Sequence, residues 1–97
     1  MKNEEFLDFL HEVGKLAKPM HKDTLQKIPT LDTAFRNTEY DSLDMLVVYM
    51  YVCDVYGIDE ETGKELIART PKELLAFVTR HKTKDPQTVA AAVEGLL

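Results

Sequence analysis

The sequence predicts an all-α protein: a bundle of four helices, with a long ordered loop between the first and second and a short third helix. Three observations carry this. Near the N-terminus, Phe6, Leu10, Val13 and Ala17 recur at helical spacing. Start and stop signals bracket two further segments, Asp41-Ser42 with Gly57, and Thr70-Pro71 with Arg80-His81-Lys82. The chain has 97 residues, enough for one core of three or four short elements. A catalytic barrel, a dinucleotide-binding sheet or a kinase fold does not fit in that length.

The first helix opens with Asn3 as its expected cap, places Glu4 and Glu5 in the positive N-terminal turn, and stops before Pro19. Gly14 weakens its interior. Between Met20 and Tyr40 the helical period is lost, yet Leu25, Ile28, Leu31 and Phe35 are too large and apolar to leave in water. At about 1.5–3 kcal/mol per buried side chain they should tie this loop over the core, with a helical turn near Lys22 to Lys27. The second helix runs from Asp41-Ser42 to Tyr56 and is apolar nearly all round, so it must be central or meet a partner. Its β-branched and aromatic residues also suit a strand. Length and caps decide for helix.

A short third helix is expected from Glu60 to Ala68. The fourth opens with Thr70 as cap, Pro71 at the first helical position and Glu73 closing a capping box. Leu74, Leu75 and Val78 face inward. Residues 1–82 thus form the helical domain. Residues 83–97 form a tail, either mobile or folded as one more weak helix through Val89, Val93 and Leu96.

Composition narrows the function. The net charge is −5, and the segment from Asp32 to Glu65 alone carries −7 while the remainder is slightly basic. Such a field steers cationic partners and argues against nucleic acid, which needs a cationic surface. The single cysteine, Cys53, excludes an intramolecular disulfide and a multi-cysteine zinc site, pointing to a reducing, cytoplasmic setting. No targeting segment is expected. The longest apolar stretch, Met45 to Cys53, is nine residues, far below the roughly 20 that span a bilayer.

The residues that carry chemistry are Asp41-Ser42-Leu43-Asp44. A serine in the first turn of a helix lies beside unpaired N–H groups and a positive dipole, so an anion on its hydroxyl is favoured by roughly 0.3–1 kcal/mol. No neighbouring histidine or Gly-x-Ser-x-Gly elbow activates it. It is better placed to be modified by another protein than to act as a nucleophile itself.

This motif, opening a hydrophobic helix, resembles the attachment signature of acyl carrier proteins. The resemblance runs from about Asp32 to Val78 and includes the stop at Tyr56-Gly57-Ile58, the acidic short helix and the Thr70-Pro71 start. It implies a non-catalytic, monomeric carrier with an acyl-carrier-like four-helix bundle. Ser42 would receive 4′-phosphopantetheine from coenzyme A through a phosphopantetheinyl transferase, and the arm's thiol would carry acyl groups as thioesters between acyl-loading and acyl-processing enzymes. The bundle interior would sheathe the chain. Asp41 and Asp44 would meet cationic side chains of those partners. By the family's register Met45, Val48, Tyr49, Val52 and Tyr56 face the core, while Leu43, Leu46, Val47, Met50 and Cys53 form a contact face with Asp54.

Three departures stand out. Glu39 occupies a position where the family usually has glycine; the helix after Ser42 bears few carboxylates; and the tail extends past the usual end. The apolar face implies dedicated partners in a specialised lipid, polyketide-like or secondary-metabolite pathway. Glu39-Tyr40-Asp41 counts against a peptidyl or aryl carrier.

Other readings of the same residues are plainer. Ser42 serves simply as a helix cap, the apolar helix is a dimer seam, or the chain is a helical adaptor with no prosthetic group. Cys53 reads as a buried or half-buried small apolar residue rather than a nucleophile, and His11, His21 and His81 lack metal-ligand spacing. The run from Asp59 to Thr70 resembles a calcium loop but has Lys64 in the glycine position and Thr70 in the glutamate position.

Overall fold

In a computed structural model of the protein, which describes residues 1–96, the chain forms five α-helices: α1 Asn3–Ala17, α2 Ser42–Val55, α3 Glu60–Gly63, α4 Pro71–His81 and α5 Val89–Glu94. No strand occurs among the described residues. The first helix buries Phe6, Leu7, Phe9, Leu10, Val13 and Gly14, a broad stripe that packs on α2 and α5. Its start differs from expectation. Asn3 is the first helical residue, and Lys2 stands in the cap position with its N–H donating to Glu5 Oε1 at 3.2 Å. Glu5 thus braces the backbone of the cap residue, and Lys2 offers the first-turn N–H groups no side-chain acceptor.

The connection from α1 to α2 is held down by its own apolar residues. Leu25, Ile28 and Phe35 are buried, and the backbone is tied by Phe35 N–H to the Arg69 carbonyl and Lys72 N–H to the Leu31 carbonyl, both 2.9 Å. It has 3-10 turns at Pro19–His21 and Phe35–Asn37, and the turn expected near Lys22 to Lys27 is present at the start of that stretch, where Leu25 N–H donates to the His21 carbonyl at 2.9 Å. Pro19 sets φ for the first of the 3-10 turns as α1 ends.

The third helix is one turn long, shorter than the expected Glu60 to Ala68. After Gly63 the chain must bury Leu66 and Ala68 while Ile67 stays exposed, an alternation that a continuing helix cannot deliver. The fourth helix has the expected Thr70 cap, whose hydroxyl accepts from Glu73 N–H at 3.2 Å. Its capping box is not closed, because the Glu73 carboxylate accepts instead from Arg69 N–H, at 3.5 Å. Leu74 and Val78 are buried, and Leu75 is half-buried against the core.

Of the two states expected for the tail, the structure has the helical one, a fifth helix added to the four of the bundle; its last residue, Leu97, lies outside the described residues. Two features dock it. Ala92 is buried as α5 packs on α1, and the N–H groups of Thr83 and Lys84 donate to the Tyr56 carbonyl at 2.9 and 3.1 Å. Carbonyls at the end of a helix lack intrahelical donors, so the chain leaving α4 supplies them to α2. Gly57, at φ 64°, makes the turn out of α2 possible.

Gly14 has a packing reason. Tyr40 lies against it, so that a Cβ at Gly14 would run into the Tyr40 hydroxyl and approach Leu25 Cδ2 to 2.9 Å. Alanine would gain about 1 kcal/mol in helix propensity, but overpacking a buried contact costs about 1–3 kcal/mol. Gly14→Ala is therefore expected to lower stability by about 1 kcal/mol, and Tyr40→Phe in the same chain to restore part of it. A thermal melt in which Gly14→Ala is the more stable protein would contradict this packing.

The same tyrosine makes the fold sensitive to alkali. Burial, with help from Glu39 and Asp44, pushes the Tyr40 hydroxyl from 10.0 up to about 12. Burial and Asp85 do the same to Tyr56, also to about 12. The unfolded chain releases these protons first, so the folded state holds more of them above pH 10, and stability falls as pH rises from there toward 12. Melting temperature measured across that window should drop, less steeply in Tyr40→Phe. Equal slopes for the two proteins would remove Tyr40 from the explanation.

Candidate functional site

The motif residues meet at the start of α2, and the capping arrangement there decides what each is free to do. Asp41 is the cap: its Oδ1 accepts from Asp44 N–H at 2.8 Å, and Asp44 Oδ2 accepts in return from Asp41 N–H at 3.0 Å. This is a reciprocal capping box with aspartate at both ends. Ser42 is consequently the first residue inside the helix and not its cap. It is exposed, and among the described residues its hydroxyl makes no side-chain hydrogen bond. The N–H groups of Ser42 and Leu43 have no intrahelical acceptor.

The loop before the motif is fixed from α1. Lys18, the C-cap of α1, donates from Nζ to Asp44 Oδ2 at 2.9 Å and to the Glu39 carbonyl at 3.2 Å. Burial pushes the Asp44 carboxyl up, but the Asp41 N–H and the Lys18 ammonium outweigh it and hold the group below the ordinary carboxylate value. The hydrogen bond to Asp44 raises the Lys18 ammonium in turn. Glu39 needs no glycine-like backbone, since no non-glycine residue among those described has positive φ. Its carboxylate instead accepts from Gln26 N–H at 2.7 Å, pinning the middle of the long loop. Glu39 therefore braces the turn before α2 against the long loop.

Along α2 the side chains separate into stripes. Leu43, Leu46 and Met50 are 73, 63 and 54% exposed, Asp41 and Asp54 are exposed, and Val47 is half-buried. Cys53, expected on the contact face, is instead buried, and its thiol is pushed up by burial and by Asp54. In that state it is a weak nucleophile. Met45, Val48, Val52 and Tyr56 are buried as the register implied. Tyr49 is half-buried and donates its hydroxyl to the Ala68 carbonyl at 2.7 Å.

Beside this helix lies a groove of about 680 Å³, lined by Leu46, Tyr49, Met50, Cys53, Ile58 and Leu66 with Asp54, Asp59, Glu60 and Lys64 among its polar residues. Its size falls within the roughly 300–1,000 Å³ typical of small-molecule sites. Ser42, Leu46, Tyr49 and Cys53 follow the i, i+4, i+7, i+11 pattern that shares one helix face. The groove thus begins one turn, about 6 Å, along α2 from Ser42. Ile67, 82% exposed, directly follows the groove residue Leu66.

Sequence reasoning did not identify Lys18, Ile58, Leu66 or Ile67 as part of this region. Lys18 and Asp44 are 26 positions apart, and neither carries a local signal of the other. Among the described residues no group of three or more His, Cys, Asp or Glu side chains is placed to hold a metal ion, and no helix is long and apolar enough to cross a membrane. No protein-family model, curated protein or solved structure matches the chain.

Proposed function

We propose that the protein is an acyl carrier, with an acyl-carrier-like arrangement of α1 to α4 and α5 as an added docked element. Ser42 would be the attachment point of 4′-phosphopantetheine. In a reaction run by a separate Mg²⁺-dependent transferase its oxygen would attack the pantetheine-side phosphorus of coenzyme A. The pyrophosphate P–O bond would break with release of adenosine 3′,5′-bisphosphate, and the hydroxyl proton would pass to that enzyme. The arm would supply a thiol that carries acyl groups as thioesters. One observation carries the reading: Asp41 caps α2, which leaves the Ser42 hydroxyl exposed and uncommitted in the first turn. A serine recruited as a cap would have been spent on the backbone.

The chain's residues fit such an arm in three ways. The first-turn N–H groups of Ser42 and Leu43 would hold the phosphate charge at the positive end of α2. The groove on the same face offers an apolar bed lined by Leu46, Met50 and Ile58. Exposed Leu43, Leu46 and Met50, with Asp41 and Asp54 beside them, offer partner enzymes an apolar surface edged with negative charge. That balance suits dedicated enzymes of a specialised lipid, polyketide-like or secondary-metabolite pathway, met by a monomeric carrier in the cytoplasm.

Incubation with coenzyme A, Mg²⁺ and a promiscuous phosphopantetheinyl transferase should add the mass of one arm to the intact protein. Wild-type protein that stays unmodified while a control carrier is loaded overturns the reading. A helical adaptor without a prosthetic group is the second reading, favoured by Ile67, which lies exposed outside the motif helix. Native mass spectrometry of protein from its own source separates the two, since an adaptor has no added mass.

A further inference from the structure

We propose that Lys18 is a charge lock on the Ser42 turn: it occupies the Asp44 carboxylate from within the chain and withholds it from the cationic face of an enzyme that must approach Ser42. This deepens the carrier reading and rests on it for the identity of that enzyme. Lys18 stands at the C-terminal end of α1, where the helix carbonyls favour a cation, and Pro19 turns the chain away immediately after it. The ammonium then reaches two groups of the motif region, Asp44 Oδ2 at 2.9 Å and the Glu39 carbonyl at 3.2 Å.

Burial makes this pairing different from an ordinary surface contact. The Lys18 and Asp44 side chains are 17 and 15% exposed, whereas Asp41 and Asp54 are exposed. Asp44 Oδ2 accepts both Lys18 and the Asp41 N–H, so an incoming arginine or lysine has to displace a partner already in place. The other charged side chains near this pair, Glu39 and Asp41, are acidic and strengthen the hold on Lys18. Of the two motif aspartates, only Asp41 then presents free negative charge to a visitor. Selection among partners shifts accordingly to Leu43, Leu46, Met50 and Asp54.

The consequence is specific. Lys18→Gln should release Asp44 and lower the transferase KM for this protein roughly two- to fivefold, the size of effect that one exposed ion pair, newly made with the enzyme, carries. The change should appear in KM more than in kcat and fade as salt screens the new contact. Lys18→Arg keeps the charge and should keep the wild-type KM. In an Asp44→Asn background, Lys18→Gln should give no gain, which ties the effect to this carboxylate. A Lys18→Gln protein with unchanged or higher KM, or an equal gain without Asp44, overturns the lock. A second readout stands apart from the carrier chemistry. The Asp44 carboxyl, followed by NMR, should titrate higher in Lys18→Gln than in wild type, and an unmoved titration also overturns the proposal. Failure of the wild-type protein to be loaded counts against the carrier reading, while the titration still tests the lock.

Discussion

Ser42→Ala is expected to abolish transfer of the phosphopantetheine arm while leaving the protein as stable as wild type within about 0.5 kcal/mol. The two halves of that expectation come from different atoms. Loading requires the Ser42 hydroxyl, and the motif has no second hydroxyl to substitute. Stability of the α2 start depends on Asp41, whose Oδ1 accepts from Asp44 N–H, and alanine at the first helical position is a good helix former. Asp41→Ala removes the cap and should cost about 0.5–2 kcal/mol. Intact-mass measurement and denaturant melts on the two variants would separate attachment from capping. A Ser42→Ala protein that still gains the arm, or that melts as early as Asp41→Ala, would remove the basis for assigning Ser42.

Phe9→Ala should produce the largest loss of stability, about 3–5 kcal/mol. The ring is fully buried. It packs edge-on against Tyr56 with centroids 6.0 Å apart, and at 6.1 Å from Phe6. Truncation therefore opens a cavity between α1 and the end of α2 that neighbouring aromatic rings are too rigid to fill. Domains of this size commonly hold about 5–15 kcal/mol in total, so one ring represents a large share. Urea unfolding followed by circular dichroism would read it from the midpoint. A loss below about 1 kcal/mol would mean that Phe9 is not central to the core.

Loading and stability meet at Tyr56, the cap residue of α2. Its ring closes the core against Phe9, and its carbonyl anchors the chain after α4. A cavity at Phe9 therefore loosens the helix that begins with Ser42 from its far end. The stripe of Leu46, Tyr49 and Cys53 would lose its fixed relation to Ile58 and Leu66 across the groove.

Much of the fold was legible because its signals are local. The Asp41 start and Gly57 stop of α2, and the Thr70-Pro71 start of α4, depend on groups within a few residues of each other. Leu25, Ile28 and Phe35 announced an ordered loop by size alone. Where the signals are degenerate, more than one outcome fits the sequence. Asp41 and Ser42 are both good caps, and composition does not say which takes the backbone. The apolar α2 gives periodicity no contrast, so Cys53 fits both the contact face and a buried apolar position, and packing selects the second. The third helix is shorter than expected because Leu66 and Ala68 both turn inward after Gly63 while Ile67 stays exposed.

What the sequence determined by itself was an all-helical chain, the start and stop of α2 and the start of α4, the acidic middle and a serine in the first turn of an apolar helix. The tertiary structure decided which groups around that serine are free. Lys18 closing on Asp44, Tyr40 seated on Gly14 and Tyr49 bonded to Ala68 each join residues far apart in the chain. Such pairs are chosen by how the helices pack, because a side chain's partner depends on which surfaces packing brings together in space. Helix starts and stops are settled within a turn; the environment of Ser42 is settled only when α1, the long loop and α2 have come together.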